Sequence, residues 1–349
     1  MTAVAPAKIN LHLAVGDVRA DGFHELVTVY RAVDMWEQVT VAIDEPGRSE
    51  GLGGSDDDIA VTVTGPGADR VPTDRSNLAA RAVDLLRKEA GANARIAIRI
   101  RKGVPVAGGM AGGSADAAAA LVATDRLLGL GLSRAELEQR AAVLGSDVPF
   151  CIRGGTAMGT GRGEKLATLL HARAEQHVVV ALADGGLSTP EVFAELDRLR
   201  EARPDLPRAG GTEPLVQALA GQDPAAVADL LANDMEPAAL SLVPGLRRTL
   251  RAGREEGALH GMVSGSGPTC LFFCSDREHA IGVAAGISES GVCREVRITH
   301  GPVGGARIID DPGPDSVPRP AADSRSAAGV GSTTGPGPTA GVVDHPTGK

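Results

Sequence analysis

Aromatic residues and long hydrophobic runs are both scarce in this sequence. Its 349 residues include five Phe, one Trp and one Tyr, so any aromatic surface for a ligand must come from a short list of side chains. No apolar stretch approaches the roughly 18 residues that span a bilayer, and the N-terminal segment around Lys8 lacks the basic-then-apolar order of a signal peptide. These absences favour a cytoplasmic protein that does not bind membranes.

An excess of basic residues is also missing. The sequence has 35 Lys and Arg against 44 Asp and Glu, a formal net charge of -9 at pH 7, which disfavours non-specific binding to nucleic acid. A phosphate group would therefore need a local binding site, and a small molecule is the expected partner. The cysteines lack the paired C-x-x-C spacing of a zinc site and are expected to be buried thiols: Cys151, Cys270, Cys274 and Cys293.

The length corresponds to about two domains, and the sequence pattern divides in the same way. Alternating polar and apolar residues predict strands over residues 5–15, 24–33, 39–43, 59–64 and 95–101. Helices are predicted over residues 77–90 and 133–144, the second opened by a Ser133/Glu136 capping box and closed by Gly145. We therefore expect a strand-rich first domain at residues 1–170 and a second α+β domain at residues 171–305.

Two segments differ from the rest in composition. Residues 306–349 are rich in Pro, Gly, Ser and Thr, and such a segment buries too little apolar surface to offset its ordering entropy. They are predicted to form a disordered tail. Residues 50–58 (EGLGGSDDD) are expected to form a surface loop for the same reason.

The most informative stretch is PVAGGMAGGSADAAAAL at residues 105–121, which leads from a strand into an alanine-rich helix. Glycine lets backbone N–H groups approach an anion, and a helix start adds unpaired N–H donors and the positive end of the dipole. The segment therefore predicts a phosphate-binding loop. It is neither a Walker A loop, which needs a lysine, nor a G-x-G-x-x-G loop. Taken alone, it is equally compatible with a tight strand-to-helix turn.

A second glycine cluster, GMVSGSGP at residues 261–268, lies between two apolar segments. It offers further backbone donors to an anion, or it is the turn of a β-hairpin. Both interpretations stay open on this segment alone.

Three segments in this order resemble the GHMP kinase superfamily: APAKINLHL at residues 5–13, GGMAGGSADAA at 108–118 and SGSGPT at 264–269. ADGFHEL at 20–26 and LGSDVPF at 144–150 extend the resemblance to the branch whose alcohol substrate carries a cytidine diphosphate. The resemblance implies an α+β fold of two domains, one ribosomal-S5-domain-2-like and one ferredoxin-like, with the active site between them. It also implies ATP as the phosphoryl donor, Mg²⁺ accompanying ATP, and a small-molecule alcohol as the acceptor.

The same resemblance implies roles for individual residues. Lys8 and Asp147 are the implied catalytic pair, and Asn77 is expected to bind adenine. The implied ATP-phosphate loop consists of Pro105, Val106, Ala107, Gly108, Gly109, Met110, Ala111, Gly112, Gly113, Ser114 and Ala115. The implied substrate-binding residues are Asn10, Phe23, His24, Thr189 and Phe193, with Phe23 and Phe193 stacking on cytosine. Ser114 is expected to contribute an oxygen to Mg²⁺, and Glu164 is a further candidate.

These residue types suit phosphoryl transfer to an alcohol. A carboxylate such as Asp147 can accept the hydroxyl proton as the alcohol oxygen attacks the γ-phosphorus. A neighbouring lysine such as Lys8 keeps the carboxylate ionised and stabilises the negative charge of the reacting oxygens. Without the other motifs, Asp147 would be an ordinary polar turn residue after Gly145, and Lys8 a solvated strand residue.

The sequence departs from the family pattern at two positions. Ala115 follows Ser114 where two adjacent hydroxyl residues are common, and Phe23 stands where tyrosine is common. Homoserine and mevalonate kinases share the glycine loop but not the Phe23-His24 and SDVPF combination, and a decarboxylase of this fold would share the ATP site. A non-catalytic nucleotide-binding regulator would lack the lysine or the carboxylate, and both are present.

Overall fold

The computed structural model describes residues 1–44, 58–172 and 174–310. The strands are β1 (Thr2–Val18), β2 (His24–Ile43), β3 (Ile59–Thr64), β4 (Ile96–Arg101), β5 (Thr156–Gly161), β6 (Lys165–Thr168), β7 (Gln176–Leu182), β8 (Ala232–Asn233), β9 (His260–Val263), β10 (Cys270–Cys274), β11 (Glu295–Gly301) and β12 (Arg307–Ile309). The helices are α1 (Leu78–Glu89), α2 (Gly112–Leu128), α3 (Arg134–Leu144), α4 (Val148–Arg153), α5 (Thr189–Ala202), α6 (Glu213–Ala220), α7 (Pro224–Ala228), α8 (Glu236–Leu242), α9 (Leu246–Glu255) and α10 (Arg277–Glu289).

The first sheet is built around the long antiparallel pair β1 and β2. Its strand order is β12-β1-β2-β4-β3, with β5 pairing with β2, β6 with β5, and β8 with β1. The register of β1 against β2 shifts between Pro6 and Ala7. Before this bulge, Ala3 and Ala5 pack against helices, whereas after it Ala7 and the alternate residues that follow pack toward the second half. A bulge re-aims side chains in this way, and here it determines which way Lys8 points.

The same irregularity explains one wrong prediction. Residues 24–33 and 39–43 were expected to be separate strands, but they belong to the single strand β2. Pro6 pairs with Trp36 and Ala7 with Val33, so two residues of β2 lie between consecutive partners. The extra residues break the polar–apolar alternation without ending the strand.

Helices α1, α2 and α4 pack against the first sheet, with α2 against both β1 and β2, and α3 packs on these three helices. The alanines of α2 from Ala117 to Ala120 are fully buried, and their small side chains let the helix approach its neighbours closely. The predicted capping box is confirmed, since Ser133 and Glu136 bond each other's backbone N–H at the start of α3. Helix α3 ends at Leu144, immediately before Gly145, as predicted.

The second sheet has the order β11-β7-β10-β9, and all its neighbouring strands are antiparallel. Its core includes Val179, Phe272 and side chains of α9 and α10. The predicted α+β character of this half is confirmed. All four cysteines are free, and their predicted burial is confirmed for Cys151, Cys270 and Cys274, whereas Cys293 is half-buried.

The chain returns twice from the second half to the first sheet. Strand β8 pairs in parallel with β1, and β12 pairs with β1 in antiparallel fashion through Thr2 and Ile309. Ala306 is buried and its N–H donates to the Cys151 carbonyl at 2.9 Å. The prediction that the tail begins at 306 is therefore wrong for residues 306–309, because so short a strand is invisible to composition. The remaining tail, from 311 onward, and residues 50–57 of the expected loop lie outside the described residues.

A buried arginine ties the passage between the two sheets to β2. Arg31 is fully buried, and its guanidinium donates to the Thr156 hydroxyl, the Gln176 amide oxygen and two backbone carbonyls. Burial lowers its pKa to about 10. All these acceptors are neutral, and three of the four belong to the stretch from 172 to 176 that leads into the second sheet. This network fixes how the second half begins relative to the first.

Candidate active site

A cavity of about 930 Å³ lies between the two halves of the protein. The first half contributes β1, β2, the glycine-rich segment and the residues before α4. The second half contributes the start of α5 and the turn between β9 and β10. The predicted site residues in its lining are Lys8, Asn10, Phe23, His24, Pro105, Val106, Ala107, Gly108, Gly109, Ala111, Gly112, Gly113, Ser114, Asp147, Thr189 and Phe193.

Lys8 is a buried lysine on β1 that is held from several sides. Its Nζ donates to Asn10 Oδ1 at 2.9 Å and lies 3.4 Å from Asp147 Oδ2. Asn10 in turn donates to the Thr28 hydroxyl at 2.8 Å, which fixes its amide. The backbone N–H of Lys8 bonds the Met110 carbonyl of the glycine-rich segment at 3.1 Å. Lys8 is therefore a positioned cation and not the solvated strand residue that its type alone would suggest.

Asp147 occupies the N-cap position of α4, but its side chain makes no capping bond. Its carboxylate instead accepts from the Tyr30 hydroxyl at 3.1 Å and pairs with Lys8. The pKa of Tyr30 is raised well above its ordinary value, mainly by burial and secondly by the negative charge of the nearby Asp147, so this phenol stays a proton donor. The Asp147 side chain is 29% exposed, against 9% for Lys8. One edge of the carboxylate is therefore open to the cavity.

The glycine-rich segment curls into the start of α2. Ala107 and Ala111 both have left-handed backbone angles, with φ of 55° and 60°, which cost energy for a residue with a Cβ and are held only by their surroundings. The first N–H groups of a helix have no partner within it, so Gly112, Gly113 and Ser114 offer donors where they line the cavity. This geometry suits an anion at the positive end of the 17-residue helix.

The second glycine cluster is part of the same site. It forms the turn between β9 and β10, and a Cβ on Gly109 would lie only 2.1 Å from the Ser264 carbonyl oxygen. Gly265 borders Asn10 and Lys8, and the Ser266 hydroxyl lies 2.9 Å from that of Thr189. The turn is therefore the hairpin connection that one interpretation predicted, and it also forms a wall of the cavity; binding of an anion by its backbone stays a prediction.

Sequence reasoning missed a buried charge cluster beside the glycine loop. Lys102 Nζ lies 2.7 Å from Glu37 Oε1 and 2.5 Å from Asp116 Oδ2, and all three side chains are at most 3% exposed. Burial and then the neighbouring Asp116 raise the pKa of Glu37 to about 8, and burial raises the pKa of Asp116 as well. Two carboxylates thus share one lysine. No sequence motif signals the cluster, because its members come from β2, α2 and the residue after β4.

The other end of the cavity carries the aromatic residues. The rings of His24 and Phe193 stack at 4.7 Å with an interplanar angle of 10°. His24 Nε2 lies 2.9 Å from Asp197 Oδ1, a partner that the sequence did not predict. Phe23 is 53% exposed, and the guanidinium of Arg162 lies 5.0 Å from its ring centroid. Both predicted phenylalanines therefore line the cavity. Phe193 is stacked against His24, and Phe23 lies against Arg162.

Besides the metal candidate Glu164, three predicted residues do not line the cavity. Met110 and Ala115 are fully buried. Asn77 caps α1, since its Oδ1 accepts from the Ala79 N–H at 2.8 Å and its Nδ2 donates to the Pro72 carbonyl at 2.7 Å. The structure thus gives Asn77 a positioning role, because Pro72 lines the cavity, and the adenine contact expected from the sequence stays a prediction. A helix cap and a ligand-binding amide cannot be told apart in sequence.

Comparison with known proteins agrees with this architecture. Residues 77–155 match the GHMP kinases N terminal domain, and residues 215–293 match the GHMP kinases C terminal domain. The chain is 56% identical over 307 residues to a 4-diphosphocytidyl-2-C-methyl-D-erythritol kinase from Rhodococcus jostii, covering 88% of this chain and 94% of that protein. It is 54% identical over 306 residues to the protein of that name from Nocardia farcinica, covering 88% and 95%.

Solved structures give the same result. A 4-(cytidine 5'-diphospho)-2C-methyl-D-erythritol kinase superposes with a TM-score of 0.64 at 30% identity, covering 86% of this chain and 99% of that one. A homoserine kinase from Cytophaga hutchinsonii reaches a TM-score of 0.65 at 18% identity, covering 88% and 97%, a likeness of fold alone.

The fold and the matches define a GHMP kinase, a small-molecule kinase that transfers a phosphoryl group from ATP to an alcohol. Within that class, the chain belongs to the family of the 4-diphosphocytidyl-2-C-methyl-D-erythritol kinases. The resemblance and the two-domain α+β fold expected from the sequence are therefore confirmed. In the part of the chain that the structure describes, no helix is long and apolar enough to cross a membrane.

The buried cluster generates a prediction for stability against pH. The folded pKa of Glu37 is about 8, against a reference value of 4.5, so between these values the folded protein holds a proton that the unfolded chain has lost. This contribution to stability is lost as pH rises from about 5 to 8, by an amount on the order of a few kcal/mol. Asp116→Asn leaves Lys102 and Glu37 as a one-to-one pair, lowers the pKa of Glu37 and reduces this loss.

Urea unfolding of both proteins at several pH values between 5 and 8 measures the effect. Asp125→Asn, on the same helix, is the control and should keep the slope of the unmodified protein. A slope of stability against pH that is equal in Asp116→Asn and in the unmodified protein would show that Asp116 does not raise the pKa of Glu37.

Proposed function

We propose that the protein phosphorylates the 2-hydroxyl of 4-diphosphocytidyl-2-C-methyl-D-erythritol in the non-mevalonate (methylerythritol phosphate) route to isoprenoid precursors. The observation that carries the proposal is the arrangement of one cavity, with the Lys8–Asp147 pair beside a glycine-lined helix start and a His24–Phe193 stack elsewhere on its wall. A phosphoryl donor, a reacting alcohol and a flat base each find suitable groups there. The names of relatives more than 50% identical support the same substrate.

Asp147 acts as the general base in this proposal. Its exposed edge accepts the proton of the 2-hydroxyl while the alcohol oxygen forms a bond to the γ-phosphorus, and the bond from that phosphorus to the β-phosphate oxygen breaks to release ADP. Tyr30 and Lys8 hold the carboxylate in place from its other sides. A carboxylate has lone pairs enough to accept from both and still take the proton.

Lys8 supplies the positive charge at the reacting centre. Its Nζ is fixed between Asn10 and Asp147, so no reorganisation is needed when negative charge develops on the attacking oxygen and the transferred group. The backbone bond from Lys8 to Met110 ties this cation to the loop that borders the phosphates. The base and the phosphate cradle are therefore held in one rigid unit.

The phosphates of ATP bind at the start of α2. Gly112, Gly113 and Ser114 line the cavity there, and each bond from an N–H to a charged oxygen contributes roughly 1.5 to 3 kcal/mol. Several such bonds hold a triphosphate in a protein whose net charge is negative. This explains how the loop functions without a Walker lysine.

Mg²⁺ is expected to accompany ATP. Among the described residues, no group of three or more His, Cys, Asp or Glu side chains could hold a metal ion, which fits a cation bound mainly by phosphate oxygens and water. The Ser114 hydroxyl, at the helix start, is proposed to contribute one oxygen. Bound there, the ion would neutralise charge on the β- and γ-phosphates. Glu164, whose carboxylate accepts from the Arg162 N–H, is not among the cavity-lining residues.

His24, oriented by Asp197, recognises the edge of the cytosine base by hydrogen bonding. A carboxylate can only accept, so Asp197 favours the His24 tautomer in which Nε2–H donates to it, and the Nδ1 atom of the neutral ring is then an acceptor. Cytosine offers an amino group to such an acceptor, whereas uracil offers a carbonyl oxygen and is rejected. Phe193 supplies an apolar face beside this edge.

Substitutions at the catalytic pair test the proposed mechanism. Asp147→Asn removes the proton acceptor while keeping its size, and Lys8→Ala removes the cation, so each should lower kcat by about 100-fold or more with little change in ATP affinity. Tyr30→Phe, which removes only a supporting hydrogen bond, should have a smaller effect. Steady-state kinetics at saturating substrates and ATP titrations measure both quantities. Near-normal turnover of either main variant would show that its assigned role is wrong.

A further prediction concerns the preference for cytosine over uracil. The unmodified protein should use the cytidine compound at least about tenfold better than its uridine analogue, and His24→Ala should narrow that preference without changing ATP affinity. Phe193→Ala should weaken the binding of both compounds to the same extent, since stacking on the ring face does not depend on the groups at the edge of the base. The ratio of kcat/KM values for the two compounds is the measurement. Equal use of both by the unmodified protein would contradict the assignment.

A further inference from the structure

Arg162 is a cation in the cavity wall that the proposed chemistry has not used. It lies in the turn between β5 and β6 and lines the same cavity as Lys8 and Asp147. Lys8 pairs with Asp147, and Lys102 pairs with Glu37 and Asp116. The guanidinium of Arg162 makes no ion pair with the residues that the structure describes; its neighbour is the ring of Phe23, at 5.0 Å.

The turn that carries Arg162 reaches toward the reacting centre at one end. A Cβ on Gly163 would lie 2.2 Å from the Tyr30 hydroxyl oxygen, and that hydroxyl donates to Asp147 at 3.1 Å. Gly163 is therefore required here, because its φ of 99° and the contact with Tyr30 both exclude a side chain. The backbone next to Arg162 thus contacts Tyr30, whose hydroxyl is hydrogen-bonded to the proposed general base Asp147.

At its other end the turn borders the residues proposed to bind the base. The Gly161 N–H donates to Glu25 Oε1 at 3.1 Å, and Glu25 directly follows His24. The Arg162 side chain lies on Phe23, which precedes His24. Arg162 is therefore placed between the group that binds cytosine and the group that accepts the proton.

We infer that Arg162 binds the diphosphate of the cytidine-bearing alcohol and is the residue that makes this diphosphate a requirement. The inference rests on the proposed function, since the diphosphate of such a substrate joins the cytidine to the reacting alcohol and must lie between their two sites. A guanidinium matches phosphate oxygens with two parallel N–H donors. Stacking on the exposed ring of Phe23 holds its plane without using those donors.

Arg70 provides a matched control. It also lines the cavity without an ion pair among the described residues, but it lies with Val106 of the glycine-rich segment: a Cβ on Gly67 would be 3.1 Å from Arg70 Nη2 and 3.2 Å from Val106 Cγ2. Arg70 is thus on the nucleotide side of the cavity. Removing it should leave the binding of the cytidine compound unchanged.

The test measures binding of CDP, CMP and cytidine by calorimetry, with the ATP site saturated by AMP-PNP. The unmodified protein should bind CDP at least about tenfold more tightly than cytidine, as charge-assisted hydrogen bonds to phosphate imply. Arg162→Met should lose most of that preference while binding cytidine equally well, Arg162→Lys should retain part of it, and Arg70→Met should retain all of it. With the full substrate, Arg162→Met should raise KM at least about tenfold and change kcat less.

The outcomes separate two failures. If the unmodified protein binds neither CDP nor cytidine, the proposed function is wrong. If it prefers CDP and Arg162→Met or Arg162→Lys keeps the full preference, the function stands and the inference about Arg162 is overturned. Thermal unfolding of each variant shows whether it is folded, and the cytidine affinity provides the same check inside the site.

Discussion

The interaction on which the rest of the structure depends is the contact between Lys8 and Asp147. It joins the first strand of the chain to the start of α4. The β1–β2 register shifts between Pro6 and Ala7, and beyond this shift Ala7 and the alternate residues that follow pack toward the second half, whereas Lys8 contacts Asp147. A buried lysine needs a partner of opposite charge, so the pair constrains the fold as well as the chemistry.

Around this pair the cavity wall is assembled mainly from backbone. The glycine-rich segment touches the β9–β10 turn so closely that Gly109 has no space for a side chain. Lys8 holds the segment through Met110, and the Lys102 cluster holds β2 to α2 behind it. Phosphate binding thus relies on N–H groups whose directions are fixed by contacts outside the loop. The left-handed angles of Ala107 and Ala111 are tolerated for the same reason.

Much of this could be predicted from the sequence. Strands β1, β3 and β4, the capped helix α3 and the glycine loop all follow from periodicity, capping and turn chemistry, which are local properties. The parts that could not be predicted depend on contacts distant in sequence. The continuity of β2 through its bulge, the return of β12 to β1, and the Lys102–Glu37–Asp116 cluster have no local signature. The capping role of Asn77 was also missed, because a helix cap and a ligand-binding amide look the same in sequence.

The central claim is that the cavity selects a cytidine diphosphate alcohol as phosphoryl acceptor. Its most direct measurement is ADP formation by the purified protein with ATP and each of three alcohols, 4-diphosphocytidyl-2-C-methyl-D-erythritol, homoserine and mevalonate, with ³¹P spectroscopy of the product. The account predicts ADP formation with the cytidine compound alone and one new phosphate monoester at its 2-position. Comparable turnover of homoserine or mevalonate, or a phosphate on another hydroxyl of the cytidine compound, would contradict it.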